Sequence, residues 1–175
     1  MTHRPIRPDI RIVGSDERGD HARALRDAFS AWASGVTVVA VQSPSGMHGI
    51  TASAFTPLSI TPPLVLVCLA GDAPMLTYIR EQRRFTVNVL DAAQKRIASL
   101  YADRFTAVHA RFADEIDAII DGVAAYFVCT LVREHDGGDH RIVMGEVQRF
   151  AGSGEAAPLV YHGRSWHALA LGSDQ

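Results

Sequence analysis

Apolar positions in this chain follow two rhythms. Leu25, Ala28, Phe29 and Trp32 recur at three- and four-residue spacing, which predicts a helix beginning near His21, capped by Asp20 and ended by Gly35. Its apolar stripe belongs to the core or to a dimer interface. The β-branched run Val36 to Val41 then predicts a buried strand, and Ser43-Pro44-Ser45-Gly46 a turn that returns an antiparallel partner from Met47. Pro62 and Pro63 mark the entry to a strand over Leu64 to Leu69. Ala73 to Arg84 reads as a helix with Pro74 in its first turn, and Phe85 to Leu90 as a strand. Asp91 caps a helix whose apolar residues are Ile97, Leu100 and Tyr101, and residues 104–121 read as a helical or irregular connection. Val123 to Val132 and Arg141 to Phe150 are two strands joined through a turn-rich stretch, His135 to His140. Pro158 to Tyr161 and Trp166 to Leu171 close the chain as short strands.

One stretch departs from both rhythms. Thr51-Ala52-Ser53-Ala54 places small and hydroxylic residues between Ile50 and Phe55, so no large side chain covers the backbone there. Two readings remain open: close packing of a neighbouring element, or a flat ligand lying on exposed N–H and C=O groups with the Thr51 and Ser53 hydroxyls beside them.

The length of 175 residues suits one domain, read as residues 21–175 behind a flexible leader over 1–20 that contains Pro5, Pro8 and Gly14 among charges. A formal net charge of -2 argues against a nucleic-acid surface. Leu64 to Ala70 is the longest strongly apolar run and is far too short to span a membrane. The leader lacks the apolar centre of a signal peptide, and Cys68 and Cys129 sit in apolar strand-like runs as reduced, buried thiols, so the expected setting is cytoplasmic. There is no GxGxxG and no P-loop, and no strand–helix alternation of a doubly wound sheet. His135, Asp136, Asp139 and His140 cluster in a Gly-rich turn without further ligand spacing, so no metal site is expected.

Six blocks in order carry a resemblance: Gly35-Val36-Thr37-Val38-Val39; Gly49 to Phe55; Ser59 followed by Pro62 to Leu69; Phe85-Thr86-Val87-Asn88-Val89-Leu90; Gly138-Asp139-His140-Arg141 to Val147; and Pro158 to Tyr161. The chain resembles the flavin reductase-like family from Ala28 to Leu169. That resemblance implies a mainly β fold with helices, an antiparallel, Greek-key-like split β-barrel of the FMN-binding type. It further implies a homodimer with flavin near the subunit interface. NADH or NADPH then gives hydride to FMN or FAD, and the reduced flavin passes to a partner monooxygenase. Carried over residue by residue, the flavin-binding positions are Thr37, Thr51, Ala52, Ser53, Ala54, Ser59, Asn88, Arg164 and Trp166. Asp139 and His140 stand beside the nicotinamide–flavin stack, His140 as the catalytic residue.

The chain departs from the family's lettering at several of these positions. Ser53 stands where Asn is common and Ala54 where Ser is common, which keeps backbone contacts and loses a side-chain amide. Ala73 and Met75 stand where a Ser and a Thr meet flavin phosphate, leaving Thr77, Arg83 or Arg84 as substitutes. For several residues the plain structural role stands beside the functional one. His140 also reads as a surface residue of a hairpin, Asn88 as a strand-end amide that satisfies backbone, and Trp166 as packing at the barrel end. Hydride transfer between two cofactors needs orientation and charge stabilisation more than acid–base chemistry, which suits a site built from main chain. The alternative function is a non-catalytic split barrel that binds flavin or another cofactor.

Overall fold

The structure, a computed structural model, describes residues 18–102, 110–152 and 154–169. In chain order come α1 (Arg18–Phe29), β1 (Ser34–Gly35), β2 (Thr37–Ser43), β3 (Gly46–Ala52), β4 (Phe55–Ser59) and β5 (Leu64–Ala70). They are followed by α2 (Met75–Gln82), β6 (Arg84–Val89), α3 (Lys95–Ala102), β7 (Phe112–Asp114) and β8 (Ile119–Ile120). The last elements are β9 (Ala125–Gly137), β10 (His140–Gly152), β11 (Leu159–His162) and β12 (Ser165–Ala168).

Seven strands form one sheet in the order β3-β2-β6-β9-β10-β5-β4, every pair antiparallel. β3 and β4 are consecutive in the chain yet occupy opposite edges. β3 also lies against β5, so the sheet curls until its two edges approach without hydrogen-bonding shut. This is the expected split barrel, and Ser53 and Ala54 are the two residues that cross its seam.

β2 is buried on both faces, as its Val-rich run predicts. Val39 and Val41 join one core cluster with Val67, Leu69, Phe85 and Val143; Met75, Leu76 and Ile79 of α2 close that cluster. Val38 and Ala40, on the other face, pack with Leu90, Ala98, Ile120 and Leu159. The alternation has the strand period of two. Asn88 ties the second layer to the sheet. Its Nδ2 donates to the carbonyls of Val38 (3.3 Å) and Ala118 (3.1 Å), and its Oδ1 accepts from the Ile120 N–H (2.9 Å). Arg84 and Arg149 both pair with the buried Asp117 carboxylate of the same hairpin.

A smaller sheet, β1-β11-β12, carries the end of the described chain. Gly163 and Arg164 form the two-residue turn between β11 and β12, both at positive φ (56° and 63°). The Gly163 N–H donates to the Ser30 carbonyl (2.8 Å) and Arg164 pairs with Asp27 (2.5 Å), which fixes the hairpin against the end of α1.

Five local expectations are corrected. α1 begins at Arg18, so residues 18–20 are helix and Asp20 lies inside it; the rest of the expected leader is outside the described residues. The helix stops at Phe29 because the Ser30 hydroxyl donates back to the Asp27 carbonyl (2.7 Å), and Gly35 pairs in a strand instead. Within 104–121, β7 and β8 pair as a hairpin whose turn is held by the Asp117 N–H donating to Asp114 Oδ1 (3.0 Å). Strand pairing runs through His135 and Asp136, so the connection between β9 and β10 shrinks to Gly138-Asp139. The expected cap at Asp91 is present, but it opens a 3₁₀ turn over Ala92–Gln94 ahead of α3.

Asn88→Ala leaves two carbonyls and one N–H without their buried partner. It is expected to lower unfolding free energy by about 1–3 kcal/mol. The readout is a reduced urea midpoint at unchanged slope.

Candidate functional site

Antiparallel ladders consume the main chain up to Ala52 and again from Phe55. Between them, the Ala54 carbonyl accepts from the Cys68 N–H (2.9 Å). The Ser53 N–H and C=O, the Ser53 hydroxyl and the Ala54 N–H have no partner among the described residues. Both residues are exposed, and no side chain covers them.

They form the floor of a cleft of about 820 Å³. One wall comes from the end of α1, with Arg26, Phe29 and Trp32; the opposite wall comes from Tyr161 and Arg164 of the β11–β12 hairpin. Phe29 is 67% exposed and Trp32 79%, so the stripe predicted on α1 does not enter the core of this chain. Two guanidinium groups at one cleft favour an anionic ligand. Arg164 shares its charge with Asp27, whereas Arg26 makes no ion pair among the described residues.

Ser53, Ala54 and Arg164 are therefore the expected site residues that meet in one place. Several others are committed elsewhere. Thr37 is buried and its hydroxyl donates to the Ala52 carbonyl (2.7 Å). The Thr51 hydroxyl donates to the Ala98 carbonyl (2.7 Å), turning away from the strip to hold α3. The Ala52 side chain is buried in the core. Asn88 spends both amide atoms on backbone, the second of the two roles its sequence position allows. Trp166 is half-buried and its ring lies 4.9 Å from that of Tyr161, behind the cleft wall. Ser59 is half-buried at the far end of β4.

At the start of α2, Ala73 and Met75 are buried, so neither offers a group to an anion. Arg84 pairs with Asp117, whereas Arg83 donates one Nη to the Leu131 carbonyl (3.0 Å) and is exposed, as is Thr77.

Asp139 and His140 sit at the tip of the β9–β10 hairpin. Gly138, at φ 77°, takes the first turn position and Asp139 the second. His140 Nδ1 lies 2.7 Å from Asp139 Oδ1, and that hydrogen bond holds the Asp139 carboxyl below the usual carboxylate range. His140 pairs with Ala70 on β5, two residues beyond the Cys68 that faces Ala54. Two residues along and two strands across separate the backbones by roughly 12 Å.

Cys68 and Cys129 are free thiols, and burial pushes that of Cys129 up to about 12. Neither lines the cleft. Sequence reasoning missed Arg26 and Tyr161 as cleft residues. The available signal was the apolar α1 stripe, which sets Phe29 and Trp32 on the face one turn from Arg26.

A profile of the Flavin reductase like domain matches residues 29–170. A probable flavin reductase of Rhizobium meliloti is 42% identical over 137 residues, covering 75% of this chain and 44% of that protein. The chain spans about half the length of this and two further relatives. An NADH-dependent FAD reductase of Streptomyces globisporus is 39% identical over 151 residues, covering 81% of this chain and 80% of the relative. A solved structure of the Streptomyces globisporus C-1027 NADH:FAD oxidoreductase, in complex with NAD and FAD fragments, superposes with a TM-score of 0.81. Its identity is 33%, over 94% of this chain and 100% of that one. With a domain profile matched over most of its length and an antiparallel split barrel shared with a solved relative, the chain belongs to the flavin reductase-like family.

Proposed function

We propose that this chain is an NAD(P)H:flavin oxidoreductase that takes hydride from NADH or NADPH and reduces FMN or FAD. The observation that carries the reading is the exposed Ser53–Ala54 main chain on the floor of a cleft holding two arginines. The names of relatives such as an NADH-dependent FMN reductase of Agrobacterium fabrum support the same activity.

A bound flavin supplies the redox chemistry: NADH, a proton and oxidised flavin become NAD⁺ and reduced flavin. The chain's own part is placement and charge. The N–H groups of Ser53 and Ala54 are fixed by the ladders on either side, so they can donate to a ligand's electron-rich rim without reorganising. Arg26 and Arg164 raise the local potential for that negative charge. Asp139, ionised and bonded to His140 Nδ1, fixes the imidazole's orientation at the hairpin tip. Positioning two rings in contact is worth roughly 7–11 kcal/mol in favourable intramolecular cases, so orientation alone can drive the step.

The proposal includes a homodimer. Leu64, Leu66, Cys68 and Ala70 alternate with the core residues of β5 and point to its outer face, where Ile142 and Met144 of β10 flank them. All are only half-covered, and the row runs on to the exposed seam. A second copy covering this row closes the cleft. Among the described residues no helix is long and apolar enough to cross a membrane, and we place the reductase in the cytoplasm, serving a partner monooxygenase as several relatives' names describe for them.

Mixing the protein with NADH or NADPH and FMN or FAD, and following the nicotinamide absorbance band, is expected to show flavin-dependent oxidation. A yellow protein inert to both nucleotides points instead to flavin binding without turnover. His140→Ala is expected to lower kcat by roughly tenfold or more while flavin affinity moves less than about twofold; an unchanged rate returns His140 to an ordinary hairpin turn. In sedimentation velocity the chain is expected to run as a dimer and Leu66→Glu as a monomer.

A further inference from the structure

We infer that the outer arm of the cleft, formed by Arg26, Phe29 and Trp32, is a seat for the adenosine diphosphate half of FAD, which makes this chain select FAD over FMN. The inference rests on the reading of Ser53–Ala54 as the seat of the flavin ring. Both arms belong to one continuous cleft of about 820 Å³.

Two aromatic rings stand out at the end of α1 with little of their surface covered. Aromatic side chains are large apolar groups whose exposure a folded chain normally avoids, and every nucleobase has a face that stacks on one. Arg26 lies on the same helix one turn before Phe29, with its guanidinium free of carboxylates among the described residues. A planar guanidinium suits a diphosphate bidentately, and a cation beside stacking rings is the arrangement a nucleotide tail requires. Arg164 is less available, being held by Asp27.

The other place for a phosphate is poorly equipped. α2 begins just beyond β5, but its first residues are Ala73, Pro74 and Met75, with Asp72 before them. No side chain caps that helix, Ala73 and Met75 are buried, and the Ala73 N–H is spent on the Ala70 carbonyl (2.9 Å). A mononucleotide phosphate finds the exposed Thr77 hydroxyl there but no capping side chain, while a dinucleotide tail reaching the other way meets Arg26 and two rings.

Titration of the full chain with FAD and with FMN, without NADH and followed by flavin fluorescence, tests this. FAD is expected to bind at least about tenfold more tightly, the loss of one stacked base being worth roughly 5–150-fold. Trp32→Ala and Arg26→Gln should each weaken FAD binding at least about fivefold more than they weaken FMN binding. ADP should compete with FAD and leave FMN binding unaffected. Equal affinity for the two flavins overturns the inference and leaves the reductase reading intact. So does parallel weakening of both flavins in the two variants, including through loss of the dimer in sedimentation velocity. Failure to bind either flavin overturns the reductase reading and this inference with it.

Discussion

The constraint on which the molecule depends is the strand order. Because β3 and β4 are neighbours in the chain but occupy opposite edges of the sheet, the backbone must cross the open seam in two residues. Main-chain groups crossing a seam belong to neither ladder, so they need water or a ligand as partner. Small side chains at Ser53 and Ala54 keep that crossing uncovered. The barrel cannot hydrogen-bond shut without erasing this strip, and the curl that brings β3 against β5 keeps the gap narrow.

Everything around the seam fixes its surroundings. The Thr37 and Thr51 hydroxyls brace the strand leading into it, one to the Ala52 carbonyl and one to α3. The walls come from segments far apart in sequence, the end of α1 and the β11–β12 turn, joined by Gly163 to Ser30 and Arg164 to Asp27. Arg164 holds a left-handed backbone conformation that its Cβ disfavours, and the ion pair to Asp27 offsets part of that strain. The charge that gives the cleft its sign thus also anchors its wall.

Much of this was legible from residue order. The two-sided burial of β2 follows from its Val-rich run, the β2–β3 turn from Pro44-Ser45-Gly46, and the cap at Asp91 from its place before Gln94. The bare strip was visible as Thr51 to Ala54, though only its second half is free, because ladder pairing ends at a residue that side-chain pattern does not reveal. Asn88 carried two readings because a strand-end amide looks the same whether it faces a ligand or a hairpin. That hairpin, β7–β8, is too short for its periodicity to register. The α1 stripe read as core or dimer interface because spacing reports which side of a helix is apolar, not what lies opposite. Arg26 was missed because a charged residue on an amphipathic helix ordinarily faces solvent.

One edge of the sheet bears on how the protein behaves in a crowded solution. β4 carries Pro57, which lacks a backbone donor, and its pairing to β5 slips by a residue between Pro57 and Ser59. An interrupted, locally twisted border is a poor template for a stray strand from another molecule. A chain that leaves an apolar row uncovered next to an unzipped barrel would otherwise invite runaway ribbon growth. The kinked border thus disfavours self-contact through backbone stacking.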